Sequence, residues 1–145
     1  MKNQIAEIQL RYRPRKMKGT KITSSKTAFK VFLEHWNMDS IELYEEFKIM
    51  LLNRNNEVLG MHTLSKGGMT GTLVDLKLLF VVAIKSAACG IILAHNHPSG
   101  NLRPSEADKN LYKKIKKASE YLDINVLDNL IISRRAYYSF ADEGV

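Results

Sequence analysis

The run Ile91-Ile92-Leu93-Ala94-His95-Asn96-His97-Pro98-Ser99-Gly100 changes character at its middle. Its first four residues are continuously apolar, the mark of a strand buried on both faces, and such strands belong to sheets covered by helices. Its last three make a tight turn. His95 and His97 stand two apart, so in a strand both side chains project to one side and can turn their imidazoles toward a common point. Downstream, Pro104 precedes Ser105, which opens a helix reaching to about residue 122. Ser105 and Asp108 are three apart and share one face of its first turn. Two histidines and one carboxylate make a ligand set that leaves a tetrahedral zinc one open position. Taken alone, Ser105-x-x-Asp108 is also close to a capping box, and describes a helix start as well as it describes a site.

Working outward, residues 75–88 are apolar round much of a helical circumference and end near Gly90, which predicts a buried helix with Gly90 as its C-terminal cap. Residues 44–52 and 57–64 read as two strands of a hairpin around the turn Asn53-Arg54-Asn55-Asn56. Phe29, Phe32, Leu33 and Trp36 recur at helical spacing, predicting a helix over 25–37 capped by Ser24 or Ser25. Residues 126–133 and 137–140 are two last strands flanking Arg134-Arg135. The loop Gly67-Gly68-Met69-Thr70-Gly71 lacks the Lys-Ser/Thr of a phosphate loop and the spacing of a dinucleotide fold. The order helix-strand-strand-helix-strand-helix-strand-strand predicts an α/β fold, a mixed sheet flanked by helices. It forms a single domain over 24–145, preceded by a basic arm over 1–23 that carries Arg11, Arg13, Arg15, Lys16, Lys18 and Lys21.

Composition narrows the function classes. The chain has 145 residues, 45% of them hydrophobic and 26% charged, which excludes disorder and low complexity. Cys89 is the single cysteine, so no internal disulfide framework exists, and the expected location is cytoplasmic. The longest apolar run, 78–88, is interrupted by Lys85 and is shorter than the ~20 residues of a membrane helix, so no membrane association is expected. A net charge of +7 permits contact with nucleic acid without requiring it. His35 and His62 read as structural residues of a helix and a strand, Cys89 as a small core residue, and Lys113, Lys114, Lys116 and Lys117 as the solvated face of the long helix.

The string His95-x-His97-x7-Ser105-x2-Asp108 matches the JAMM (MPN-type) metalloprotease signature. With Ala94, Pro98-Ser99-Gly100 and Pro104 around it, and with Leu127-Asp128 and Tyr138-Ser139-Phe140 further on, the chain resembles the RadC family from about residue 20 to the C terminus. That resemblance implies a JAMM/MPN-like (cytidine-deaminase-like) fold and a Zn2+ ion held by His95, His97 and Asp108, with Ser105 hydrogen-bonding near the bound water. It also implies a glutamate general base upstream. Glu42, Glu45, Glu46 and Glu57 compete for that role. Strand alternation puts Glu45 with Phe47, Ile49 and Leu51 on the inward face and Glu46 with Tyr44 and Lys48 on the wetter one. RadC-like sequences also place the glutamate two residues before a phenylalanine, as Glu45 precedes Phe47. The expected function is a zinc-dependent metallopeptidase or isopeptidase acting on a peptide or protein substrate. The alternative is a DNA-repair-associated accessory protein that binds nucleic acid and keeps a structural or vestigial metal site. Two departures bear on this. Longer RadC proteins carry an N-terminal helical region resembling DNA-binding modules, for which residues 1–23 are too few, and the family's Asp-His after the long helix is Asp128-Asn129 here.

Overall fold

A computed structural model of the chain describes residues 3–14, 19–68 and 73–145. Eight elements follow in the expected order: α1 (Ser25–Glu34), β1 (Glu46–Leu52), β2 (Val58–Lys66), α2 (Leu76–Lys85), β3 (Gly90–Asn96), α3 (Glu106–Glu120), β4 (Asn125–Ile132) and β5 (Tyr137–Ser139). Five strands form one mixed sheet in the order β2-β1-β3-β4-β5. Only β3 and β4 run parallel, joined across α3, while β1–β2, β1–β3 and β4–β5 are antiparallel. Every residue of β1 and β3 is buried, because helices cover both faces of the sheet centre. On one face α2 and α3 supply Leu79, Ala83, Tyr112 and Ile115 to a core with Ile49, Leu51, Ile91 and Leu93. On the other, α1 lays Ala28, Phe29, Val31 and Phe32 over Met50, Leu52, Ile92 and Leu130. A mixed sheet flanked by three helices is the architecture expected of the JAMM/MPN resemblance.

Local chemistry starts and stops these elements. The Ser24 hydroxyl accepts the Thr27 N–H at 3.2 Å at the head of α1. That helix ends at Glu34, short of the expected residue 37, since the His35 N–H turns back to the Phe32 carbonyl and closes the last turn tightly. Trp36 is nevertheless buried beneath it.

The expectation of a buried α2 is overturned. Leu79 and Ala83 are its only buried residues, whereas Leu78, Val81 and Ile84 are 39%, 50% and 58% exposed. An outer-layer helix offers one face to the sheet, and apolar residues on its far side stay in solvent whatever their hydrophobicity. Gly90 does not cap α2 either; it is the first residue of β3, and Ala87, at φ 53°, takes the left-handed position after the helix. The glycine serves a close approach instead, as a Cβ there would meet Leu127 Cδ1 at 3.3 Å.

Of the basic arm, residues 3–14 form no helix or strand and are exposed, while Lys21 bridges Glu57, and Ile22 is buried in the α1-side core. Arg15, Lys16 and Lys18, and the loop residues Met69, Thr70 and Gly71, lie outside the described residues. No described helix is long and apolar enough to cross a membrane.

Candidate metal centre

The antiparallel register of β1 against β3 builds the site. Phe47 is paired with His95, so the chain two residues before Phe47 faces the chain two residues after His95, which sets Glu45 opposite His97 at one end of the sheet. Ligand atoms of Glu45, His95 and His97 all lie within 4.8 Å of one another. The start of α3 adds Asp108, whose two carboxylate oxygens lie 3.3 Å from His95 Nε2 and 3.3 Å from His97 Nε2. The two Nε2 atoms are 3.1 Å apart. Four of the five residues expected at the site therefore converge on one point, and the fifth, Ser105, caps the helix that delivers Asp108.

Each side chain is oriented by a neighbour. His97 Nδ1 donates to the Asn101 carbonyl at 2.6 Å, which assigns a proton to Nδ1 and turns Nε2 toward the cluster. His95 stacks on Phe47, with centroids 5.7 Å apart and planes 7° from parallel, and its Nδ1 is buried with no hydrogen-bond partner among the described residues. On its Nδ1 side, packing rather than a hydrogen bond holds that ring. Ser105 and Asp108 form a complete capping box: the Asp108 N–H donates to Ser105 Oγ at 3.0 Å, and the Ser105 N–H donates to Asp108 Oδ2 at 2.8 Å. The bonds that start α3 thus also aim the carboxylate at the imidazoles.

The electrostatics follow the geometry. Burial pushes the Glu45 carboxyl up from its ordinary range, His95 and His97 pull against it, and Asp108 adds to the rise. Burial works to raise Asp108 as well, but hydrogen bonds with His95 and His97, the charge of His95 and the Ser105 N–H hold it well below the usual carboxylate range. The hydrogen bond to Asp108 lifts His97 despite partial burial.

The rival glutamates are elsewhere. Glu42 is exposed and pairs with Arg134 at 3.1 Å, and Glu57 is engaged with Asn53 and Asn55 at the hairpin turn. Glu46 points to the opposite face of the sheet, as alternation requires, but that face is not wet. Glu46 and Lys48 are 5% and 9% exposed: Lys48 Nζ lies over the Trp36 ring, and Lys66 Nζ lies 3.7 Å from the Glu46 carboxylate. His35, whose Nδ1 bonds the Val31 carbonyl, and exposed His62 take no part in the cluster. Cys89 is half-buried at the foot of β3 rather than fully in the core. The four α3 lysines are exposed as expected.

Two residues that sequence reasoning passed over help to hold the site: Asn101, through the carbonyl that orients His97, and Asn96, between the histidines on the reverse side of β3. The position of Asn96 between two candidate ligands was the available signal.

The donor set fits a zinc ion. His95 Nε2, His97 Nε2 and a Glu45 carboxylate oxygen lie within 4.8 Å of one another, and Asp108 presents one oxygen to each imidazole at 3.3 Å, so either carboxylate can complete a three-residue set around one small ion. Two imidazoles with one carboxylate also suit that metal's borderline character.

Residues 22–145 match the family described as the RadC-like JAB domain. A UPF0758 protein of Flavobacterium johnsoniae is 48% identical over 97% of this chain and 62% of its own length. UPF0758 protein YfjY of Escherichia coli is 40% identical over 70% of this chain and 63% of its own, and a UPF0758 protein of Thermotoga maritima 38% over 69% and 45%. The chain spans about half to three-fifths of the length of these relatives.

Proposed function

The chain belongs to the RadC-like JAB domain family, and from that premise we propose that it is a zinc-dependent metallohydrolase, cleaving a peptide or isopeptide bond. The observation that carries the reading is the convergence of His95 Nε2, His97 Nε2 and both Asp108 oxygens at 3.1–3.3 Å, with the Glu45 carboxylate beside them. His95, His97 and Asp108 would hold the ion, because the Asp108 carboxylate presents an oxygen to each imidazole Nε2 at 3.3 Å. When bound, zinc supplies Lewis-acid polarisation of a substrate carbonyl and lowers the pKa of a coordinated water toward neutrality.

This chain's own residues do the rest. The Glu45 carboxylate, shifted upward by burial, takes a proton from the attacking water and returns it to the departing amine. Ser105 Oγ accepts from the Asp108 N–H and keeps its own proton to donate to a developing oxyanion. Phe47 and the Asn101 carbonyl keep the two imidazoles aimed while charge moves.

The test pairs two measurements on each variant: zinc per chain by elemental analysis, and hydrolysis of a panel of fluorogenic peptide and isopeptide substrates. His95→Ala should lose metal and activity together. Glu45→Gln should keep zinc and lose about 10²–10⁴ in rate, whereas Glu46→Gln should keep both. Folded protein that neither retains nor rebinds a transition metal, or equal rate losses from the two glutamate substitutions, would sink the reading.

A further inference from the structure

Asn96 stands between the two site histidines and has no part in the chemistry above. It is 0% exposed and shares its face of β3 with Ile92 and Ala94, which pack toward α1. Its amide makes three hydrogen bonds, all to the backbone of residues 41–46. Nδ2 donates to the Ile41 and Tyr44 carbonyls, each at 2.7 Å, and Oδ1 accepts the Glu46 N–H at 2.8 Å. Both donors and one acceptor site are thereby used. Aspartate would lack the donors, and leucine, of similar shape, would leave three buried backbone groups unpaired.

These bonds matter because of where the ladder stops. Backbone pairing between β1 and β3 ends at Phe47 and His95, one residue before Glu46. Beyond that point the β3 side of the chain is held by the Asn96 side chain, which grips both sequence neighbours of Glu45, Tyr44 through its carbonyl and Glu46 through its N–H. On the other side, the Gly67 N–H donates to the Glu45 carbonyl at 2.8 Å. We infer that Asn96 is a positioning residue: it ties the strand that carries His95 to the segment that carries Glu45, and so sets the carboxylate against the imidazoles. The inference rests on Glu45 being the general base proposed above. Asn96 touches no reacting atom and acts only through Glu45.

The experiment uses the full chain with Asn96→Ser and the near-isosteric Asn96→Asp, in case one of them does not fold. Zinc per chain should stay at the wild-type value. In metal-free Asn96→Ser, amide exchange at Glu46 should quicken about tenfold for the loss of one buried hydrogen bond, whereas Asn96→Asp keeps that acceptor and loses only the two donors. With a quenched-fluorescence peptide as probe, kcat should fall roughly 10–100-fold, the cost of a misplacement of about an ångström, with KM little changed. Added to Glu45→Gln, Asn96→Ser should lower kcat no further, since the group it positions is already gone. An equal loss in both backgrounds would make Asn96 merely structural and overturn the inference, as would wild-type kcat despite faster Glu46 exchange. If the wild-type protein cleaves no probe, the proposed function fails on its own. Positioning is then judged by the crystal structure of Asn96→Ser, where a Glu45 carboxylate unmoved from the imidazoles overturns it and a displaced one sustains it.

Discussion

Ser105 and Asp108 do two jobs with one set of bonds. The reciprocal pair that satisfies the exposed N–H groups at the head of α3 also fixes the rotamer of a carboxylate lying 3.3 Å from two imidazole nitrogens. A capping reading and a metal reading of Ser105-x-x-Asp108 are therefore not rivals, since the cap is the device that aims the ligand. It follows that Ser105→Ala should separate the cap from the aim. Urea unfolding of the metal-free protein should show a loss of about 1 kcal/mol for the cap. Zinc affinity, measured by chelator competition, should change little, because the bond that steers the Asp108 carboxylate comes from the Ser105 backbone N–H, which alanine keeps. A tenfold or larger loss of affinity would show that the hydroxyl, and not the backbone N–H, aims the carboxylate.

At the scale of the element, periodicity located helices and strands but did not say which faces would be covered. The helix α2 reads as apolar all round, yet Leu79 is 0% exposed while Ile84 is 58% exposed. Leu79→Ala should then cost about 2–5 kcal/mol by leaving a cavity between α2 and the sheet, and Ile84→Ala no more than about 0.5 kcal/mol. Thermal or urea unfolding of the two variants decides it; similar losses would mean that both faces of α2 are buried in solution. The strand β1 shows the converse. Alternation separates Glu45 from Glu46 correctly as to direction, but the face assigned to water is covered at Lys48 by Trp36, from the segment after α1, so Lys48 is buried with its Nζ over the Trp36 ring at 5.0 Å and bonded to Thr63 at 2.8 Å. Strand sequence alone cannot reveal a side chain that arrives from elsewhere in the chain.

For the whole molecule, one edge of the sheet is closed by a buried carboxylate. At the end of the sheet away from β2, the buried Asp128 carboxylate accepts the Ser139 hydroxyl at 2.6 Å and the Asn129 and Ala141 N–H groups at 2.7 and 3.0 Å, locking β5 and the C-terminal turn onto β4. Burial nevertheless raises this carboxyl above its ordinary range, against those hydrogen bonds. A raised folded-state pKa stabilises the protonated form. That contribution is complete below the unfolded value of about 3.9 and is lost as pH rises through the folded one. Between about pH 4 and neutrality, Asp128→Asn should therefore flatten the decline of the melting temperature relative to wild type. Parallel curves for the two proteins would remove Asp128 as the cause.

The amino-acid sequence by itself determined the order of elements, because hydrophobic period and capping chemistry are local, and it singled out the candidate ligands His95, His97 and Asp108, because they lie within one strand-turn-helix whose spacing is short enough to read. Only the tertiary structure decided what depends on pairing across long stretches of chain. The β1–β3 register brings Glu45, fifty residues before His95 in the sequence, within 4.8 Å of the histidine nitrogens. The Asn96 amide reaches back to the carbonyls of Ile41 and Tyr44, and the Trp36 ring lies against Lys48. Register is set by the combined burial of both sheet faces, a property that no single segment of the chain contains.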